Sequence, residues 1–256
     1  MVVRVDVADV RSKPESPSQK YEFDPLQETQ VLKGEPVLVL EEKGKWARIE
    51  CPEQMEYTHN NRWEGYPGWI LKKALTADLS AHHHLKTLPI SQPDLRTKIV
   101  SYAMQHLGSP YLWGGRSLHN PKETKMKTGV DCSGLVNWSF RQIGWFVPRD
   151  AHEQYMKSRP VNPASLQPAD LIFLAEKDKP QKIVHVAFYA GNEELVEAPQ
   201  SGETVRKMSF LKRFGKNRSD LKSGDAVGDR IIYFGTLIPD EEKESDFREM
   251  NGGKVE

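Results

Sequence analysis

The periodicity of the chain changes once, near residue 95, and this change restricts the fold more than any other feature. Before it the chain is written in short strands. Val2 to Val7 alternates apolar and polar residues, the pattern of a half-buried strand. Gln30 to Leu40 repeats it, interrupted at Gly34-Glu35-Pro36. Trp46 to Ile49 follows the turn Lys43-Gly44-Lys45, and Gly65 to Ile70 enters a last strand. Short strands at this spacing predict a small β-barrel over residues 1–75. Residues 76–94 lack periodicity and read as a surface linker. They hold His82, His83 and His84, whose side chains diverge on one local segment and so build no common metal-ligating face.

After residue 95 the apolar spacing becomes helical. Leu95 to His106 predicts a helix with Ile99, Ala103 and Leu107 on one face, ended by Gly108-Ser109-Pro110. A polar loop follows at 116–129, then a second helix over Ser133 to Ile143. Strands are expected at Asp170 to Leu174, Ile183 to Tyr189, Glu194 to Ala198 and Ile231 to Leu237, with Gly191-Asn192 as a hairpin turn. A helical part followed by an antiparallel sheet is an α+β layout, placed at 95–240 with a mobile acidic tail at 241–256.

Composition removes several function classes. Lys plus Arg and Asp plus Glu each number 36, so no global charge draws the chain to nucleic acid or an anionic membrane. No apolar run is long enough for a membrane span. The first residues carry charges where a signal peptide is apolar, which gives the expectation of a cytoplasmic protein. The two cysteines, Cys51 and Cys132, form neither a disulfide framework nor a thiolate zinc site by themselves. No metal or cofactor is expected, and a monomer is favoured.

The chemistry concentrates in Gly129-Val130-Asp131-Cys132-Ser133-Gly134-Leu135-Val136. Asp131 suits an N-cap, which puts Cys132 in the first turn of the second helix. The unpaired N–H groups and dipole of a helix start favour a negative charge, the setting of a reactive thiolate. The competing reading is a buried structural cysteine. A thiolate nucleophile needs a base, and His185 is the lone polar ring in the apolar run Ile183 to Tyr189. A satisfied core histidine is the alternative.

Asp131-Cys132-Ser133-Gly134-Leu135-Val136 resembles the NlpC/P60 cysteine peptidases, as do Tyr111-Leu112-Trp113-Gly114-Gly115, Pro148-Arg149-Asp150-Ala151, Asp170-Leu171-Ile172-Phe173 and His185-Val186-Ala187-Phe188-Tyr189-Ala190-Gly191. The motifs stand in the family's order over residues 95–237, and the resemblance implies a papain-like catalytic domain. Residues 1–75 resemble a bacterial SH3-like barrel through Gln30 to Glu35, Gly44-Lys45-Trp46 and Tyr66-Pro67-Gly68-Trp69. The pair is similar to γ-D-glutamyl-L-diamino acid endopeptidases, with peptidoglycan stem peptides or muropeptides as partners.

The resemblance implies Cys132 as nucleophile and His185 as base. The family's third position, usually histidine, falls here on Glu197, with Gln200 as another orienter. Tyr111, Trp113, Asp131, Ser133 and Asp150 fall where relatives line the substrate groove. Tyr66 and Glu28, or Asp24 in place of Glu28, would complete with Asp150 a pocket for the free amine of an N-terminal L-alanine. An ion pair with Arg149 is the rival role for Asp150. The implied reaction is hydrolysis of the γ-D-glutamyl–meso-diaminopimelate bond through an acyl-enzyme, in wall-fragment recycling. The rivals are an N-acetylmuramoyl-L-alanine amidase, an acyl transferase, and a wall-peptide binding protein silenced by Glu197. The loop 116–129 is longer than its family counterpart, and Lys122, Lys125 and Lys127 in it read mainly as solvated charges.

Overall fold

The computed structural model describes residues 1–16, 23–83, 91–123 and 126–239. His84, Lys125 and the whole 241–256 tail lie outside the described residues.

The first half is built from β1 (Val2–Val3), β2 (Val7–Arg11), β3 (Gln27–Leu32), β4 (Leu38–Lys43), β5 (Trp46–Glu56), β6 (Glu64–Leu71) and β7 (Leu75–Thr76). Five of these form an antiparallel sheet in the order β3-β2-β6-β5-β4. The other two, β1 and β7, pair as a separate ribbon. Val10, Val31, Ile49, Tyr66 and Ile70 fill the core of this unit. The closed barrel read from the sequence is not found: among the described residues the sheet has two free ends. The single strand expected over Val2 to Val7 is likewise two. Val2 and Val3 are both buried, which alternation alone does not give. The chain bends after them, so that Val3 pairs with Leu75 while Val7 pairs with Leu32.

The second half contains α1 (Gln92–Met104), α2 (Cys132–Arg141) and α3 (Ala151–Lys157). They precede a sheet of β8 (Arg159–Pro160), β9 (Leu171–Glu176), β10 (Lys179–Gly191), β11 (Glu194–Glu197), β12 (Arg206–Ser209), β13 (Ala226–Val227) and β14 (Arg230–Thr236), with α4 (Phe210–Phe214) after β12. The sheet runs β12-β11-β10-β9-β14-β13, with β8 on β14, and every pair is antiparallel. Central β9 shows the two-sided burial of such a strand. Leu171, Phe173 and Ala175 face the core under the helices, while Ile172 and Leu174 face a second core with Phe210 and Phe234. This mixed α/β architecture is the papain-like fold. Helix α1 begins earlier and stops earlier than its sequence pattern, so Leu107 lies beyond its end and is exposed. Ser91 caps it, and Pro93 near its start suits the first turn. The 76–94 stretch is therefore not all linker, since Thr76 closes β7 and α1 starts at Gln92.

Every residue of α2 is buried; the helix packs on β10 and α1, and Arg141 at its end reaches the amino-terminal half. The two halves are joined by ion pairs without water access. Arg116 donates to both oxygens of Glu35, at 2.8 and 3.0 Å. Arg141, at the end of α2, reaches Glu35 at 2.9 Å and Glu53 at 2.7 Å. Buried ion pairs contribute little net stability but fix register, because any other docking strands a charge.

Candidate active site

Cys132 is the first residue of α2, and the cap ahead of it has the expected form. Asp131 is extended (φ −90°) and its Oδ1 accepts from the Gly134 N–H at 2.6 Å. The carboxylate has further partners. Its Oδ2 accepts from the Gly114 N–H at 2.9 Å, and Arg149 grips both oxygens at 3.0 and 2.7 Å. Arg149 also donates to Ser133 Oγ at 2.9 Å. Asp131 and Ser133 are thus committed inward, and they hold the turn that presents the thiol. Position 134 requires glycine, because a Cβ there would meet the Gly115 carbonyl.

His185 reaches this thiol from β10. The pairing of β10 with β9 slips between Ile183 and His185, and both Ile183 and Val186 face the helical core. Such a bulge re-aims the side chain beside it. His185 Nε2 meets Glu197 Oε2 at 2.9 Å, which leaves Nδ1 clear of Glu197, and Cys132 is the other group that acts on the ring. The β10–β11 hairpin sets this contact: Val196 pairs with Phe188, and Glu197 is the next residue toward His185. Its two-residue turn is Asn192-Glu193, both at positive φ, rather than Gly191-Asn192. Burial alone would lower the imidazole pKa. Hydrogen bonds to Cys132 and Glu197 outweigh it and hold His185 up to about 9. Burial pushes Glu197 the other way, but His185, Arg213 and Arg206 keep its carboxyl down to about 2. Gln200 turns away and donates to Glu203, so Glu197 alone meets the ring.

Tyr111 stands beside Cys132. Burial first, then the neighbouring Cys132 and Asp131, push its hydroxyl pKa up, so it remains a donor. Trp113 is 46% exposed, its Nε1 donates to the Gln27 carbonyl at 3.0 Å, and its ring lies 5.7 Å from Phe23. It therefore forms a wall where the two halves meet.

At that seam three more of the sequence candidates converge. Tyr66 Oη lies 3.1 Å from Asp150 Oδ2 and 3.4 Å from Glu28 Oε2. Tyr66 and Glu28 come from the amino-terminal sheet and Asp150 from the cap of α3. Asp24 instead pairs with Arg11 at 2.7 Å and takes no part. Arg149 spends its fork on Asp131 and lies 3.7 Å from Asp150. Desolvation at the seam, with Glu153 and Asp131 near, pushes Asp150 up to about 7 against the pull of Arg149, although 40% of the side chain is still exposed. Tyr66 is pushed well up by burial and then by Asp150 and Glu28, so it stays protonated and can donate to either.

Some contributors carried no sequence signal. Arg149 was visible only as a neighbour of Asp150, and its pairing with Asp131 depends on the turn before α2. Glu153, which accepts from Thr58 at 2.6 Å, belongs to a helix that the periodicity did not suggest. Cys51 is buried in the amino-terminal core, where desolvation pushes its thiol up, away from reactivity.

The NlpC/P60 family profile matches residues 108–223. The bifunctional muramidase/DL-endopeptidase CwlT of Bacillus subtilis is 33% identical over 144 residues, covering 56% of this chain and 37% of the relative. The γ-D-glutamyl-L-lysine dipeptidyl-peptidase of Bacillus subtilis is 26% identical over 240 residues, covering 73% of this chain and 77% of the relative. The chain thus spans little more than a third of the first and about three quarters of the second. The crystal structure of an NlpC/P60 family protein from Bacillus cereus superposes with a TM-score of 0.68 at 19% identity, covering 93% of this chain and 99% of that one. This last likeness speaks to fold. The profile match, on a helix-start cysteine facing a strand histidine, marks residues 108–223 as an NlpC/P60 family domain.

Proposed function

We propose that the protein is a cysteine endopeptidase that cuts the γ-D-glutamyl–diamino acid bond of stem peptides bearing a free N-terminal L-alanine. The observation that carries this reading is the seam cluster, where Asp150 and Glu28 both meet the Tyr66 hydroxyl and Arg149 links Asp150 to Asp131 ahead of the thiol. Two carboxylates at one end of a groove favour an ammonium there. An acylated amine has lost that charge and leaves them unpaired. The amine of L-alanine is two residues from the γ-glutamyl bond, so a peptide anchored by it lies along the groove toward Cys132. The amino-terminal sheet acts here as an SH3-like module that completes the pocket, and the peptide has already been freed from its glycan.

In this mechanism the Cys132 proton already rests on His185, and the Sγ thiolate beside that imidazolium bonds to the γ-carbonyl carbon. The oxyanion takes hydrogen bonds from Tyr111 and the Cys132 backbone N–H. The C–N bond then breaks, and His185 returns its proton to the departing amine. Water attacks the thioester, gives a proton to His185, and releases L-Ala-D-Glu, which restores the thiolate–imidazolium pair. Glu197 keeps the imidazole oriented throughout. Trp113 offers a flat face to the peptide. The Tyr111→Phe variant is expected to lose about 10² to 10³ in kcat with little change in KM, checked by steady-state kinetics.

The deciding experiment is a mass-spectrometric digest of L-Ala-γ-D-Glu-meso-diaminopimelate, its L-lysine counterpart and its N-acetylmuramoyl form, with Cys132→Ala as control. Release of L-Ala-D-Glu from the free-amine peptides alone is the expected result. Cutting of the lactyl amide would replace this reading with the amidase. No cutting by the folded protein would replace it with the binding protein.

A further inference from the structure

Glu197 is only 1% exposed and has more cationic partners than an orienting carboxylate requires. Its Oε2 meets His185. Its Oε1 accepts from Arg206 Nη2 at 2.8 Å, Arg206 Nε at 3.0 Å and Arg213 Nε at 3.0 Å. Arg213 Nε also reaches Oε2, at 3.1 Å. Arg206 is the direct cross-strand partner of Glu197 on β12, and Arg213 comes from α4. Arg206 continues to Glu203 through Nη1. Glu197, Glu203, Arg206 and Arg213 therefore form a group whose formal charges cancel.

This matters because His185 must both take and give a proton. A buried carboxylate with imidazolium as its sole counter-charge holds that proton firmly. It would orient the ring but would also resist the transfer to the leaving amine. With two guanidiniums on its far side, Glu197 still accepts the hydrogen bond that fixes the ring, while much of its charge is already answered. We propose that Arg206 and Arg213 are positioning residues of the reaction, which neutralise Glu197 so that it orients His185 without trapping the proton His185 must hand on. The proton hand-over rests on the peptidase reading; the charge balance of the Cys132–His185 pair does not.

The groups acting on His185 are Cys132 at the start of α2 and Glu197 on β11, with Tyr111 standing beside Cys132. His152 of α3 lies nearby, its Nδ1 accepting from the Ile183 N–H. Arg206 and Arg213 are the cations behind Glu197.

The test needs no substrate for its main readout. Alkylation of Cys132 by iodoacetamide is followed against pH by peptide mapping, in the full chain and in Arg206→Gln, Arg213→Gln, Arg213→Lys and Glu197→Gln. The alkaline inflection reports loss of the imidazolium proton. Removing either arginine is expected to move it up by about one pH unit, and Glu197→Gln to move it down. Arg213→Lys, which restores the charge, returns it toward the parent. On the tripeptide, kcat of the Arg→Gln variants falls about tenfold with KM nearly unchanged, the scale seen when a supporting partner is lost. An unmoved inflection in Arg213→Gln overturns the proposal, even if activity or melting temperature drops, because such a drop then reflects structure alone. Arg213 lies on a short surface helix, so its variant decides the matter if Arg206→Gln does not fold. A shifted inflection in a protein that cuts none of the peptides would sustain the charge balance and defeat only the peptidase reading.

Discussion

Acetylating the alanine amine of the tripeptide is expected to lower kcat/KM by roughly 10² to 10³. The physical source is the seam pocket. Asp150 and Glu28 lie on either side of the Tyr66 hydroxyl, and an ammonium placed there meets both. Acetylation removes the charge and leaves the carboxylates desolvated under a neutral amide. Stranding one member of a buried pair costs about 3–5 kcal/mol, and the part-open Asp150 brings the effect to the low end. The pH dependence has a definite sign. Asp150, pushed up to about 7, is partly protonated in the empty groove near neutrality. Affinity for the ammonium therefore rises as pH increases through about 7. It falls again as the peptide's own α-amine deprotonates near about 8. Asp150→Asn should flatten the acidic side of that profile while leaving Cys132 alkylation intact. A profile of 1/KM that is flat between pH 6 and 8 would remove Asp150 from the pocket. Catalysis has its own alkaline boundary, since the imidazolium is lost as pH rises through about 9.

The largest expected loss of stability follows Glu35→Ala. Glu35 is 1% exposed and accepts from Arg116 through both oxygens and from Arg141. Arg141 keeps Glu53, but Arg116, itself without solvent contact, is left with Asn137 and the Gln30 carbonyl. An uncompensated buried guanidinium costs about 3–5 kcal/mol, a large share of the stability of an ordinary domain. Urea unfolding of parent and variant measures it. Glu35→Gln, which retains an acceptor but not the charge, should lie between them. If both variants unfold at the parent's midpoint, the ion cluster does not hold the two halves together.

The proposed catalytic pair, Cys132 and His185, was legible in the sequence because its signals are local. Asp131 before an apolar helical run fixes a cap, and a cap fixes Cys132 at a helix start. His185 stood out as a polar ring inside Ile183 to Tyr189. Glu197 was implied only by the family resemblance, and the hairpin register is what brings it to His185. What was not legible depends on tertiary placement. Nothing near Arg206 or Arg213 in the chain announces Glu197, since one lies across a strand pair and the other on a later helix. The choice of Glu28 over Asp24 depended on Arg11 claiming the latter. The barrel expectation failed for a related reason. Alternation identifies strands, but whether the first and last close on each other depends on bends such as the one after Val3, which separates β1 from β2.

The lock at Arg116, Arg141, Glu35 and Glu53 spans the same seam as the pocket formed by Tyr66, Glu28 and Asp150. The thiol therefore sits at a set separation from the proposed amine pocket, which draws residues from both halves. A small electrophile carrying an ammonium at that separation would address both at once, and enzymes that share only the cysteine–histidine pair would lack its second anchor. The same division lets substitutions in the β3 and β6 strands change which peptide end is admitted while the bond-breaking apparatus stays as it is. Selectivity, for an inhibitor as for an evolving enzyme, is here a property of the join between two parts.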